Sequence, residues 1–342
     1  MLRRPGARTA PAGVPPAGGT GPPPGPAAGP APARHGPGSA GPASAGSGHR
    51  RAPGTRGDGR LAAAFLAPVL LGFGLFYLYP ALRGAWYSMT DWNLLSPARF
   101  VGLDNYARLV QDPLFWNSLK VTAGYVILNL GIQLLAGLGL ATLLHRLTRS
   151  LALRSLLLVP WLVPSVTTGL LWMWLLDANL GFVNHLLTSV GLPNQGFLTS
   201  PDLALPSVAV ITSWSGTGYT ALLLYAGMLL VPRHIYEAAA LDGSGEVRTF
   251  FRVTLPLMRP ILAFVLVVSL IDSFQLFDAV AVTTKGGPVN ATRVVYYYIY
   301  EQAFTHFKMG YASALALSLV LVLGVLTFVQ MRLLRASTSD LA

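Results

Sequence analysis

The chain has 342 residues, 53% of them hydrophobic and 11% charged, with a net charge of +11 and no cysteine. Soluble domains carry about 25% charged residues, so an ordinary globular protein is excluded, and the lack of cysteine rules out disulfides and thiolate metal sites. The arginines sit in the first 60 residues and in short gaps between apolar runs, with no basic face interleaved with aromatics, which argues against nucleic acid as a partner and for a membrane protein oriented by its positive loops.

Residues 1–60 are Pro, Gly, Ala, Ser and Arg with almost no large apolar side chains. Such a segment cannot bury enough surface to offset its ordering entropy, and a disordered tail is expected. Leu61 to Leu82 is the first apolar run of the roughly 20 residues needed to cross a hydrocarbon core of about 30 Å. It exceeds the short core of a signal peptide and ends in Tyr77 and Tyr79, so it reads as an uncleaved first span.

A polar stretch over 83–118 carries Asp91, Asp104, Asp112 and several aromatics, and a second span follows over Leu119–Leu144. After a basic gap with His145, Arg146, Arg149 and Arg154, the third span, Ser155–Leu176, contains Pro160 and Pro164. Prolines interrupt backbone hydrogen bonding, and within a membrane such breaks are tolerated mainly where the backbone is buried in protein or lines a cavity. Residues 177–203 hold no Lys or Arg; the fourth span is Ala204–Leu230. A loop over 231–259 carries Arg233, Arg248, Arg252 and Arg259; the fifth span is Pro260–Val282, a polar loop runs to 308, and the sixth span is Met309–Val329, followed by Arg332 and Arg335. The positive charge lies on the side of the two termini and the 231–259 loop, which predicts that these face the cytoplasm. The expectation is an all-α membrane protein with a tail over 1–60 and a six-span domain over 61–342, moving a solute across the bilayer.

The 231–259 loop is well punctuated. Tyr236 to Asp242 is built of strong helix formers and ends at Gly243, a natural helix stop. Ser244 is placed to cap a second short helix, in which Val247, Phe250 and Phe251 share an apolar face, and Pro256 is expected to end it. Physically this fits either an amphipathic helix lying on the headgroups or a docking helix whose small alanines admit a close partner.

Within the spans, ionisable and polar groups are expensive and mark functional candidates. Asp272 and Gln275 share a helical face in the fifth span, with Asp278 beyond; the fourth offers Trp214, Ser215, Gly216 and Tyr219; the third offers Trp161 and Ser165 around its proline break. Aromatic faces with hydroxyls, amides and a carboxylate suit a polyhydroxylated solute. Each could equally be ordinary packing, and Asp272 could pair with a partner subunit.

A resemblance decides between these readings. Glu237-Ala238-Ala239, three residues, Gly243, nine residues, Val253, one residue, Leu255-Pro256 resembles the EAA loop of binding-protein-dependent ABC importer permeases, which prefer Ile at the place of Val253. Phe100-Val101-Gly102-Leu103-Asp104-Asn105-Tyr106, Asp112 to Trp116, Lys285-Gly286-Gly287-Pro288 and Phe307 to Ala314 are similar to the same family from residue 61 onward, most of all to the maltose-type first permeases of sugar importers, without the large extracellular insert found in the maltose protein itself. The resemblance implies the type I importer permease fold, with the 231–259 loop as a coupling helix docking on a separate ATPase. Glu237, Ala238, Ala239, Asp242, Gly243 and Pro256 are then the coupling residues. The substrate-path positions fall on Trp161, Ser165, Thr212, Ser215, Gly216, Tyr219, Asp272 and Gln275; the maltose protein itself carries amides at the last two. No phosphate-binding Gly-rich loop with Lys is present, so ATP and Mg are expected on the partner and no cofactor in this chain. The implied partners are a second permease, two ATPase subunits, an extracytoplasmic binding protein and membrane lipid.

Two other classes compete. A secondary transporter would show internal repeats and several intramembrane charges; here Asp272 and Asp278 stand nearly alone. A membrane enzyme would need a metal cluster or nucleophile motif, and His185, His234 and His306 fall in separate loops.

Overall fold

The computed structural model describes residues 56–147 and 150–335. The tail expected over 1–60 lies outside the described residues up to position 55. Four helices are long and apolar enough to cross a membrane, Ala63–Tyr87, Pro113–Arg146, Arg259–Thr283 and Met309–Leu333, and two sharply bent helix pairs bring the number to six. One pair is Leu151–Leu162 with Ser165–Leu175, bent by 89°; the other is Pro201–Leu229 with Arg233–Leu241, bent by 73°. The 29 residues of Pro201–Leu229 rise about 43 Å, enough to cross alone. It is therefore span four, and Arg233–Leu241 belongs to the loop beyond it.

Span one contains a wide π turn, Gly74–Leu78, in which the Tyr79 N–H reaches the Gly74 carbonyl. Pro80 follows in the next turn; its ring would clash with the carbonyl four residues back, and the π turn opens that room. Apart from its last turns the span is exposed, with Phe65, Val69, Leu71 and Phe76 facing outward.

Spans two and four form the axis of the bundle. Gly137 lets them approach: a Cβ there would lie 3.0 Å from Thr220 Cγ2. The first half of span three lies still closer to span four, because Gly218 sits under the Leu157 carbonyl. One core cluster, with Tyr125, Val208, Phe274, Val295 and Leu315, fills one end of the bundle. A second, with Leu144, Leu224, Met228, Met258 and Val265, fills the end next to the 231–259 loop.

Three details add to the expected spans. Span five is not continuous: its helix Arg259–Phe274 stops and restarts at Asp278–Thr283, with Phe277 at φ −136 and ψ −61 between them. No proline or glycine marks that break. The loop before span six holds a buried helix, Val295–Tyr300, docked through the Val295 N–H on Thr122 Oγ1 of span two at 2.9 Å. The polar stretch before span two forms a short antiparallel pair, Thr90–Asp91 with Arg99–Phe100, and a helix, Asp104–Gln111.

Candidate functional site

Pro164 carries no N–H, so the Pro160 carbonyl one turn earlier loses its usual partner four residues on and takes the Val163 N–H at 3.3 Å. Val163, preceding the proline, is extended at φ −75 and ψ 129, as sterics require. Span three breaks there, and Ser215 of span four adds a second donor: its Oγ donates to the Pro160 carbonyl at 3.1 Å. The irregular backbone is thus satisfied from inside the protein, the condition for such a break at membrane depth.

The break in span five meets it. Ser165 opens the second half of span three and Asp278 the second half of span five, and the Ser165 hydroxyl donates to the Asp278 carboxylate. Gly169 holds the two half-helices close, since a Cβ there would be 3.3 Å from Val282.

Opposite stands a polar column on span two. Tyr125, Asn129 and Gln133 recur every four residues and so lie on one helix face. Tyr125 donates to Thr212 Oγ1 at 2.8 Å. Asn129 Nδ2 donates to Ser273 Oγ at 2.9 Å, and Asn129 Oδ1 accepts from Ser213 Oγ at 2.8 Å and from Gln133 Nε2 at 3.2 Å. Gly216 leaves room for Gln133, whose Nε2 would lie 2.9 Å from a Cβ at that position.

Between the column and the two breaks lies an open cavity of about 230 Å³. Trp161, Ser165, Thr212, Ser215, Gly216, Asp272 and Gln275 all line it, together with Tyr125, Asn129, Gln133 and Asp278. Tyr219 does not; it stacks on Trp161, with ring centroids 4.9 Å apart, and backs that wall. Trp214 packs edge-on against Trp172 at 5.7 Å instead. The carboxylate of Asp272 makes no hydrogen bond or ion pair among the described residues, while its backbone carbonyl accepts the Gln275 N–H at 3.1 Å. Sequence reasoning missed Tyr125, Asn129 and Gln133, although their four-residue spacing inside an apolar span was a readable signal.

At one end of the bundle, helix Arg233–Leu241 carries Glu237, Ala238 and, at its C-cap, Asp242 on exposed positions, with Ala239 buried. Leu241 is 90% exposed. Gly243, at φ +70, closes the helix with the two bonds of a Schellman motif: Ser244 N–H to the Ala239 carbonyl at 2.9 Å, and Gly243 N–H to that of Ala240 at 3.1 Å. Three details differ from expectation. Gly245, not Ser244, precedes the next helix, and that N-terminus has no side-chain cap. Val247 and Phe251 are exposed while Phe250 alone packs against the core, so the three do not share one buried face. Pro256 ends nothing: the π turn sends the Leu255 N–H to the Phe250 carbonyl and makes room for the ring, so helical backbone continues through Leu257. The Arg146 guanidinium at the end of span two pairs with Glu246 and ties the loop to the bundle.

At the opposite end, Asp112 begins span two. Its Oδ1 accepts the Leu114 N–H at 2.9 Å, and its Oδ2 accepts the hydroxyls of Tyr298 and Tyr311 at 2.5 and 2.6 Å. Burial pushes this carboxyl up, but the two hydroxyls and the backbone N–H groups outweigh it and hold it below the usual carboxylate range. No group of three or more His, Asp or Glu able to hold a metal ion occurs among the described residues.

Residues 133–340 match the family model described as binding-protein-dependent transport system inner membrane component. The chain is 34% identical to the sulfoquinovosyl glycerol transport system permease protein of Agrobacterium fabrum, over 82% of this chain and 92% of that one. It is 31% identical to the trehalose/maltose transport system permease protein of Thermococcus litoralis (79% and 92% covered) and 32% identical to the sn-glycerol-3-phosphate transport system permease protein of Shigella flexneri (78% and 91%). Among solved structures, a bacterial alginate ABC transporter in complex with alginate pentasaccharide-bound periplasmic protein shares the fold, with a TM-score of 0.73 at 22% identity over 83% of this chain and 96% of that one.

Proposed function

Since the chain belongs to the binding-protein-dependent transport system inner membrane components, the permeases of ABC importers, we propose that its spans form half of a carbohydrate pathway. It is a transport subunit rather than an enzyme, and works with a solute-binding protein. The observation that carries the carbohydrate reading is the cavity at the two helix breaks: a stacked Trp161–Tyr219 wall facing hydroxyl, amide and carboxylate groups. An apolar wall with a few placed polar anchors is what a sugar's C–H face and hydroxyls require. The sugar-transporting relatives support the same class.

The rest of the proposal is the machinery around that cavity. A second, similar permease completes the pathway. Two ATPase subunits, carrying ATP and Mg, receive the exposed Glu237, Ala238, Asp242 and Gly243 at the cytoplasmic face, where both termini also lie. Rigid-body movement of this loop would switch the cavity's access between the two sides. Co-purification followed by reconstitution tests it: ATP-dependent sugar uptake should require the second permease, the ATPase and the binding protein together. Uptake by this chain alone, driven by an ion gradient, would overturn the proposal in favour of a secondary transporter.

A further inference from the structure

The charge lining the cavity is one-sided. Asp272 and Asp278 both face it, and no Lys, Arg or His among the described residues does. The two carboxylates are held differently. Asp278 is committed to Ser165 at the meeting point of the broken spans. The side chain of Asp272, six residues earlier on span five, has no hydrogen-bond or ion-pair partner among the described residues, although Tyr125, Asn129, Gln133 and Gln275 line the same space. The amides are already engaged, Asn129 with Ser213 and Ser273, and Gln133 with Asn129 and Thr220.

From this geometry we infer that Asp272 selects against negative charge in the cargo: the pathway takes sugars without an acidic group and refuses uronic, phosphorylated or sulfonated ones. The inference rests on the carbohydrate reading and deepens it. An unpartnered carboxylate is an acceptor with free lone pairs, matched to sugar hydroxyls, which are donors. An anionic sugar brings acceptors and like charge to the same place, where two unit charges a few ångströms apart repel. Specificity built on a repulsive group needs no new contact to the favoured cargo. The chain would thus part company with relatives named for sulfoquinovosyl glycerol, a sulfonated glycoside, and for sn-glycerol 3-phosphate while keeping their architecture.

The test is direct binding to the whole transporter, this chain with its second permease and ATPase subunits in nanodiscs, read by saturation-transfer NMR without the binding protein, so that the binding protein's own selectivity does not enter. The probes are trehalose and maltotriose as neutral sugars, and alginate trisaccharide and sn-glycerol 3-phosphate as acidic ones. Wild type should bind at least one neutral probe at least tenfold more tightly than either acidic one. Asp272→Asn, an isosteric change, should shrink that preference at least threefold by admitting the acidic probes. Equal or tighter binding of an acidic probe by wild type overturns the inference and leaves the carbohydrate reading standing. An unchanged preference in Asp272→Asn overturns Asp272 as its source, as it would if a cation of the second permease neutralised the carboxylate. Binding of no probe overturns both. The wild-type comparison stands even if the variant fails to assemble.

Discussion

The indole of Trp161 and the phenol of Tyr219 lie 4.9 Å apart with planes 11° from parallel, so the residue just before the break in span three is clamped to the middle of span four. One ring lines the cavity and the other holds it in place. Stacked aromatic pairs contribute about 0.5–1.5 kcal/mol beyond their burial. Trp161→Ala should cut sugar uptake by about tenfold at unchanged membrane expression, whereas Trp161→Phe should keep most of it. Equal uptake by the Ala variant would remove the wall from the pathway.

Gly243 turns the chain at φ +70 with an open surface around it. A side chain there meets backbone strain, about 1 kcal/mol, and any close partner. Gly243→Asp should insert normally and leave ATP hydrolysis no longer matched by uptake; Gly243→Asn, which tolerates the left-handed region without the charge, should be milder. Paired ATPase and uptake assays check it, and full coupling in the Asp variant would remove this turn from the coupling surface.

Gly218 has no room at all. A Cβ there would sit 1.7 Å from the Leu157 carbonyl oxygen, so Gly218→Ala must push the first half of span three off span four. Overpacking typically costs about 1–3 kcal/mol, and the variant should unfold several degrees lower in detergent than the wild type.

Asp112 makes stability depend on acid. Its carboxyl is held below its ordinary value in the folded protein, so its contribution is complete above the usual carboxylate pKa of about 3.9 and is lost as pH falls through the lower folded value. Thermal stability of the wild type should therefore drop on acidification below about pH 4. Asp112→Asn should be less stable at neutral pH and flatter over that range. A wild-type profile no steeper than the variant's would refute the role given to the two tyrosines.

Much of this protein was determined by sequence alone. Apolar length and the placement of arginine were enough for six spans, because the bilayer imposes one length on every crossing. The Glu237 to Pro256 spacing was enough for the family, and Gly243 for the turn, because only glycine sits easily at that backbone angle. Local chemistry misled where a wider structure absorbed it: Pro256 looked like a stop, but a π turn ahead of it made room for its ring. What only tertiary structure decided is the cavity. The break at Phe277 has no sequence marker, and the polar column of Tyr125, Asn129 and Gln133 acquires meaning only when spans four and five bring Thr212, Ser213 and Ser273 to it. The reason is physical: helix periodicity says which residues share a face, but which faces meet is settled by packing between distant segments.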